Sequence, residues 1–298
     1  MKRMRQSSLN TGLDCALKLS YALDPTTPYH NGVVRAMGTA VHKGHEEYYL
    51  HRRETGELET DPRPWVEAAL KAFQVEVDRA EDRFDWRLEP AKPHLQTPKP
   101  EIMLDFESAA KKIAEGLVFY HQNKCYWPER YEVIEAELFF ELPWEGQDDW
   151  VRHGTIDLVL RDTLDNKVIL VDHKTAKGPK KADAYSANKT PQASFYLRSF
   201  ELLDWSTLDC RGEDLGELHN EFVYDVLSLT HGKPVVFNRF WQPRSKQQIK
   251  VVEMQANALI ELVDKGGPFL PNTSSFLCSE MYCDFWDICP YGSTLKGQ

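Results

Sequence analysis

The stretch VILVDHK, residues 168–174, decides how this chain is interpreted. Four consecutive aliphatic residues predict a buried β-strand, and the run ends abruptly in two charged residues that flank a histidine. Side chains two residues apart on a strand point to the same face, so Asp172 and Lys174 should project side by side. An isolated Asp-x-Lys is more often a solvated ion pair on an edge strand. The rest of the sequence must therefore decide between a site and a surface pair.

Two strands are expected immediately before this one. Residues 131–142 and 154–160 are rich in Val, Ile, Leu and Phe, and polar turns separate them, which predicts an antiparallel meander. The middle strand carries Asp157 within GTID, residues 154–157, and should bring it alongside Asp172. Two carboxylates and an amine on one face form a site for a hard cation, where the amine can orient a water. Hydrolysis of a phosphodiester needs this combination.

The first strand of the meander offers further acidic ligands. Glu135 and Glu137 point to one common face, and either could join Asp157 at a cation. Solvation at the edge of the sheet explains them equally well.

Helical spacing places other polar residues in pairs. A helix is expected over 36–53, where Gly38 and His42 lie one turn apart, and another over 191–203, where Gln192 and Tyr196 do the same. The remaining expected elements are helices at 7–23, 65–77, 101–123 and 245–264 and strands at 221–229 and 235–241.

Composition limits the function. The chain has 298 residues, of which 42% are hydrophobic, so it can bury a core and is neither fibrous nor disordered. Its net charge of −10 repels phosphate, and a polyanion would need a bound cation or a local basic patch. A basic loop of this kind is expected between His173 and Lys189, although it could simply be a solvated loop. Its charged residues are Lys174, Lys177, Lys180, Lys181 and Lys189 against Asp183.

No membrane span is predicted, because no apolar run approaches the ~18 residues that a bilayer helix needs. The basic start, residues 1–5, leads into polar residues rather than the apolar segment of a signal peptide. A cytoplasmic, reducing location is therefore expected. Six cysteines in such a setting should be free thiols or metal ligands, and Cys278, Cys283 and Cys289 lie close together in the tail. Cys15 could supply a fourth thiolate to zinc or iron if the two ends meet.

Taken in order, four motifs resemble the PD-(D/E)XK nuclease superfamily and, within it, the RecB-like and CRISPR-associated exonucleases. The motifs are Gly38-x-x-x-His42, Gly154-Thr155-Ile156-Asp157, Asp172-His173-Lys174 and Gln192-x-x-x-Tyr196. The chain departs from the family pattern in having Ile156 in place of proline and Asp172 in place of the commoner glutamate. A shorter carboxylate keeps the charge and changes the reach.

The resemblance implies a role for each motif residue. Asp157 and Asp172 would be the metal carboxylates, and Lys174 would activate the attacking water. His42 would be a further ligand, with His45 as its nearest rival, and His173 would contribute only its backbone carbonyl. The helical pair Gln192 and Tyr196 would line the site and hold the scissile strand. The metal would be Mg²⁺ or Mn²⁺, and an imidazole ligand favours Mn²⁺.

The resemblance also favours iron over zinc at the cysteines. One cysteine before the nuclease core and three after it is the arrangement of the branch with a 4Fe-4S cluster. Cys15, Cys278, Cys283 and Cys289 would then join the two termini.

The fold expected from the resemblance is α/β (α+β), with a restriction-endonuclease-like core of a central mixed sheet flanked by helices. Four regions are expected: N-terminal helices at 1–53, a helical insertion at 54–130, the nuclease core at 131–265 and a cysteine tail at 266–298. The function would be exonucleolytic hydrolysis of single-stranded DNA or DNA ends in a bacterial, archaeal or phage-infected cell. A helicase, recombination or CRISPR adaptation partner and an oligomer would be compatible with it. The alternatives are a DNA-end-binding module with a vestigial site and a zinc-containing interaction protein.

Overall fold

A computed structural model describes residues 1–27, 32–80, 83–89, 100–176, 190–204, 217–275, 277–279 and 283–295. The elements of these residues are, in chain order, β1 (Lys2–Met4), α1 (Gln6–Asp14), α2 (Ala16–Leu23), α3 (Val33–Thr55), α4 (Arg63–Ala80), β2 (Arg87–Glu89), β3 (Ile102–Met103), α5 (Phe106–Gln122), β4 (Tyr131–Trp144), β5 (Gln147–Asp162), β6 (Lys167–Ala176), α6 (Pro191–Leu202), β7 (Glu217–Ser228), β8 (Val236–Pro243), α7 (Lys246–Asp264) and α8 (Pro290–Leu295). Residues 177–189 of the predicted basic loop lie outside this part of the chain, and so does the sixth cysteine, Cys210.

The centre of the fold is a six-stranded mixed sheet. Strands β4, β5 and β6 pair antiparallel in succession, which confirms the predicted meander. Strand β7 then joins β6 in parallel, β8 pairs antiparallel with β7, and β1 pairs in parallel with the start of β5. The expected mixed sheet flanked by helices is therefore confirmed.

Helices cover both faces of the sheet. On one face α6 and α7 bury Phe195, Phe200 and Ile260 against Leu170 and Phe222 of the sheet. On the other face, α3 and α5 pack an aromatic layer against the sheet, and α4 packs on α3 and α5. None of the helices that the structure describes combines the length and apolar character needed to cross a bilayer.

Two helix predictions differ from the structure. The single helix expected over 7–23 is two helices, because Cys15 is extended (φ −156°) and its Sγ accepts from the N–H of Lys18, which caps α2. The helix expected from residue 101 begins at Phe106, where the Asp105 carboxylate accepts from the N–H of Ser108 at 2.7 Å. Hydrogen bonds to capping side chains set both helix boundaries, and hydrophobic periodicity does not predict where these boundaries fall.

Candidate active site

Helix α3 carries His42 to the edge of the sheet. A Cβ on Gly38 would lie 3.2 Å from Thr175 Oγ1, so the glycine allows α3 to approach β6 closely. One turn later, His42 Nδ1 lies 3.4 Å from Asp157 Oδ2 on β5. The rival His45 faces elsewhere, and its ring stacks on that of His173 with centroids 4.5 Å apart. Of the two histidines, His42 is therefore the one placed beside a predicted metal carboxylate.

His42, Glu137 and Asp157 form a compact group. They offer ligand atoms that all lie within 4.8 Å of one another, and no other such group of three or more His, Cys, Asp or Glu residues occurs in the described ranges. The pairs Ala136–Leu158 and Leu138–Ile156 set the register, which places Glu137 directly across from Asp157.

The structure separates the two glutamates that the sequence left equivalent. Glu135 forms an ion pair with Arg53 of α3 at 2.7 Å. Glu137 instead belongs to the group with His42 and Asp157, which we call the metal-type group. Glu137 has a left-handed backbone (φ 54°), which is uncommon for a residue other than glycine and often marks a functional site. A single sequence carries no signal for this backbone conformation, so Glu137 could be named only as one of two candidates.

Three carboxyl groups are crowded into this buried region. Burial, and then the charges of Asp157, Glu46 and Asp172, raise the pKa of Glu137 to about 8. Burial also raises the pKa of Asp157 and of Asp172 to about 6, although Lys174 opposes the shift. A carboxyl group whose pKa is raised in this way has too little positive charge near it to stabilise its ionised form. A divalent cation would supply that charge, so these residues fit the metal that the resemblance implies.

Asp172 and Lys174 project side by side from β6, as predicted, and form an ion pair. The other carboxylate oxygen of Asp172 accepts a hydrogen bond from Gln192 Nε2 at 2.7 Å. Burial lowers the pKa of Lys174, but Asp172 and Asp157 more than offset this effect, and the net shift is upward. Lys174 is therefore a protonated donor, and Asp172 lies next to the three-residue group rather than within it.

The imidazole of His42 is suited to coordinate a cation. Burial and the nearby Lys174 lower the pKa of His42 to about 4. The ring is therefore neutral at pH 7 and has a lone pair to donate to a metal.

Helix α6 brings Gln192 and Tyr196 to the same region. Tyr224 donates to Gln192 Oε1 at 3.3 Å, which leaves the amide nitrogen to face Asp172. Tyr196 is 8% exposed, and its pKa is raised by burial and by Asp172 and Asp157. Its ring packs closely on β5, where Gly154 leaves room for it: a Cβ at that position would lie 3.3 Å from the ring. Gln192 thus contacts a site carboxylate directly, while Tyr196 also has a packing role.

The backbone and the side chain of His173 make contacts in different places. The ring points away from the site into the aromatic layer, between His45 and Tyr49, with centroid distances of 4.5 and 5.6 Å. The backbone N–H donates to Asp157 Oδ2 at 2.7 Å and so fixes that carboxylate.

The cysteine tail meets the N-terminal helices, so the two ends of the described chain are joined. Asn272 Nδ2 donates to the carbonyl of Asp14 at 2.8 Å, and Tyr21 donates to the carbonyl of Ile288 at 3.3 Å. The thiols of Cys15, Cys278, Cys283 and Cys289 line one small pocket beside Tyr21 and Trp286.

Comparison with known proteins identifies the family to which this chain belongs. The chain matches the model of the PD-(D/E)XK nuclease superfamily over residues 3–290. It is similar to the crystal structure of a protein named Putative exonuclease from Eubacterium rectale, with 10% identity, a TM-score of 0.47, and coverage of 93% of this chain and 87% of that one. It is also similar to the crystal structure of SSO0001, with 14% identity, a TM-score of 0.33, and coverage of 93% and 95%. No curated protein matches it. Because the family match covers nearly the whole sequence, the chain belongs to the PD-(D/E)XK nuclease superfamily.

Proposed function

We propose that this nuclease is a divalent-metal-dependent exonuclease that hydrolyses phosphodiester bonds of single-stranded DNA or DNA ends. One observation carries the proposal: His42, Glu137 and Asp157 converge at ligand distance beside the Asp172–Lys174 pair. The superfamily supports nuclease activity. Helicase, recombination or CRISPR adaptation partners would supply the DNA ends, and the proposed location is cytoplasmic.

The chain positions the groups that such a reaction needs. Mg²⁺ or Mn²⁺ bound between the carboxylates would polarise a phosphoryl oxygen and lower the pKa of a water. The N–H of His173 holds Asp157, and the amide of Gln192 holds Asp172, so both carboxylates are fixed before substrate arrives. Lys174 is protonated next to Asp172, so it can donate a hydrogen bond to the attacking water or to the phosphate oxygen on which negative charge develops. The neutral imidazole of His42 favours Mn²⁺ over Mg²⁺.

A direct test uses labelled DNA of three forms. Single strands, duplexes and closed single-stranded circles are incubated with Mg²⁺ or Mn²⁺ and with EDTA. We expect mononucleotides or short products from the linear strands with a divalent cation, and intact circles. Cleaved circles would contradict exonuclease activity, and intact DNA in every cation would favour the DNA-end-binding alternative.

Glu137→Gln should raise the Mn²⁺ concentration needed for half-maximal hydrolysis by at least about 10-fold, because the change removes a charged ligand. Glu135→Gln is the matched control on the same strand, since Glu135 is paired with Arg53. A Mn²⁺ titration of initial rates compares the two variants. An equal or larger effect of the Glu135 change would exclude Glu137 as a ligand.

We also propose that the four-thiol pocket holds a 4Fe-4S cluster. Cys15 and the three tail cysteines line this one pocket although they come from opposite ends of the described chain, and four thiolates are the ligand set of a 4Fe-4S cluster. Tyr21 and Trp286 would shield such a centre from solvent.

Cys283→Ser should therefore abolish a brown colour and a broad absorbance near the violet edge of the visible spectrum in anaerobically purified protein. Cys125→Ser, at a cysteine that does not line the pocket, should keep both. Iron and zinc analysis of each preparation completes the measurement. A colourless wild-type protein that contains only zinc would reject the cluster.

A further inference from the structure

Beyond Glu137, the face of the sheet that carries the metal-type group is open. Phe139 and Glu141 follow Glu137 on β4, and Thr155 and His153 lie across from them on β5. Their strand neighbours Leu138, Phe140 and Ile156 are buried toward α6 and α7, so Phe139 and Thr155 point to the opposite side. We call Phe139, Glu141, His153 and Thr155, together with Arg3 and Arg5, the open sheet face.

Phe139 is unusually accessible for an aromatic residue. Its exposed fraction is 58%, and the only other aromatic residue among the exposed large hydrophobics of the described ranges is Trp241 at 41%. The ring contacts His153 edge-on, with centroids 5.2 Å apart. Phe139 is two strand residues from Glu137, a separation of about 7 Å. An exposed ring next to a phosphodiesterase site can stack on a base.

The far end of the open sheet face is basic. Arg3 of β1 pairs with Val151 of β5, two residues before His153, and Arg5 directly follows β1 at the start of α1. Burial lowers the pKa of His153, and the charges of Arg5 and Arg3 lower it further. Arg3 Nε donates to Glu141 at 3.2 Å, yet half of the Arg3 side chain remains exposed. The face therefore combines aromatic rings with two cations, as single-strand-binding surfaces do.

A second opening also reaches the site, because His42 and Glu137 line it, but it has the opposite charge. It is a cleft of about 1010 Å³ between α3 and α4. The five acidic residues along it, against three basic ones, are Glu46, Glu47, Glu67, Glu76 and Glu137, against Arg35, Lys43 and Lys71. The amine of Lys43 is already engaged, at 2.9 Å from Glu46 and 2.7 Å from Glu47. This cleft repels phosphate.

We propose that a single nucleic-acid strand approaches the site along the open sheet face, with a base stacked on Phe139 and phosphates against Arg3 and Arg5. The proposal rests on the proposed function for the position of the scissile phosphate. A single strand fits because a base offers its face to a protein ring only where it is unpaired and unstacked from its neighbour. The cleft between α3 and α4 is then left for solvent and cations.

The test measures binding without hydrolysis, by fluorescence anisotropy in EDTA. Two labelled 12-mers are compared, one of thymidylate and one of abasic sugar-phosphate. Phe139→Ala should weaken binding of the thymidylate strand roughly 5- to 150-fold, the range of loss of one stacked base, and leave the abasic strand unchanged. Phe139→Trp should restore the affinity. Equal affinities of wild type and Phe139→Ala for thymidylate, or equal losses on both strands, would overturn the stacking contact.

The phosphate contacts are tested by salt. Arg5→Gln should reduce the slope of log affinity against log salt by about 0.7 for each phosphate contact that is lost. Lys71→Gln removes the same charge from the cleft and should leave the slope unchanged. If Lys71→Gln reduced this slope and Arg5→Gln left it unchanged, the strand would follow the cleft between α3 and α4, and the path proposed here would be wrong. Because hydrolysis plays no part in these measurements, their failure differs from a failure of the nuclease proposal.

Discussion

Asp157→Asn and Asp172→Asn should each lower the rate of DNA hydrolysis by on the order of 10³-fold or more, because each removes a charge that holds the cation and orients its partners. Asparagine keeps the shape of the side chain. The measurement is the initial rate of release of labelled nucleotide at saturating Mn²⁺, with the DNA concentration varied to separate kcat from KM.

Folding should survive both substitutions, which distinguishes loss of chemistry from loss of structure. Each carboxyl group is buried and has a raised pKa, so its negative charge opposes folding when no cation is bound. The midpoint of thermal unfolding in EDTA should therefore be unchanged or higher for Asp157→Asn, whereas Asp172→Asn also removes the ion-pair partner of Lys174 and should lower it while leaving the protein folded at the assay temperature. Asp165→Asn, in the exposed turn between β5 and β6, is the control that should keep wild-type activity. Activity near the wild-type level in both site variants would contradict the assignment of the metal carboxylates.

Arg239→Met should lower the free energy of unfolding by about 3–5 kcal/mol, the loss typical of a buried charge that is left without its partner. Asp225 of β7 is 2% exposed, and Arg239 of β8 binds it through two nitrogens at 2.6 and 2.7 Å. Trp127 Nε1 donates to the same carboxylate at 3.0 Å, and the guanidinium of Arg239 lies 3.9 Å from the Trp127 ring centroid. Removal of the arginine leaves Asp225 charged in a buried place, because Trp127 alone cannot neutralise it.

Urea unfolding, with the slope held common to all variants, measures the loss. The double variant Asp225→Asn with Arg239→Met should recover part of it, since no unpaired charge remains. Lys265→Met is the control, because the exposed Lys265–Glu261 pair should contribute no more than about 1 kcal/mol. A loss for Arg239→Met as small as that of the control would show that the buried pair does not support the sheet.

The strands and the cores of the helices could be predicted because local pattern determines them. Residues 168–174 are aliphatic up to Asp172, and the strand β6 spans Lys167–Ala176. The helix expected over 245–264 is α7, Lys246–Asp264, and Ser245 caps it. In these segments hydrophobic period, capping and length agree.

Features that depend on distant partners could not be predicted. Strand β1 has only three residues and exists because Lys2–Met4 pairs with the start of β5. Asp225 and Arg239 are fourteen residues apart in sequence and become neighbours through the register of β7 with β8. The choice of Glu137 over Glu135 depends on Arg53, which lies on a helix far away in the sequence.

The site was predictable in its residue types but not in its complete ligand set. Asp172 and Lys174 follow from strand alternation, and His42 follows from its spacing to Gly38 together with the resemblance. The backbone conformation of Glu137 and the hydrogen bond from the His173 N–H to Asp157 follow only from coordinates. The missing part of the prediction was thus the part that tertiary contacts decide.

The location of a bound ion tests the central claim most directly. A crystal grown or soaked with Mn²⁺ should give an anomalous difference peak within about 2.0–2.4 Å of a carboxylate oxygen of Asp157. His42 and Glu137 should lie at ligand distance from the same peak, with Asp172 beside it. Mn²⁺ bound elsewhere, with this group empty at concentrations that support DNA hydrolysis, would contradict the account.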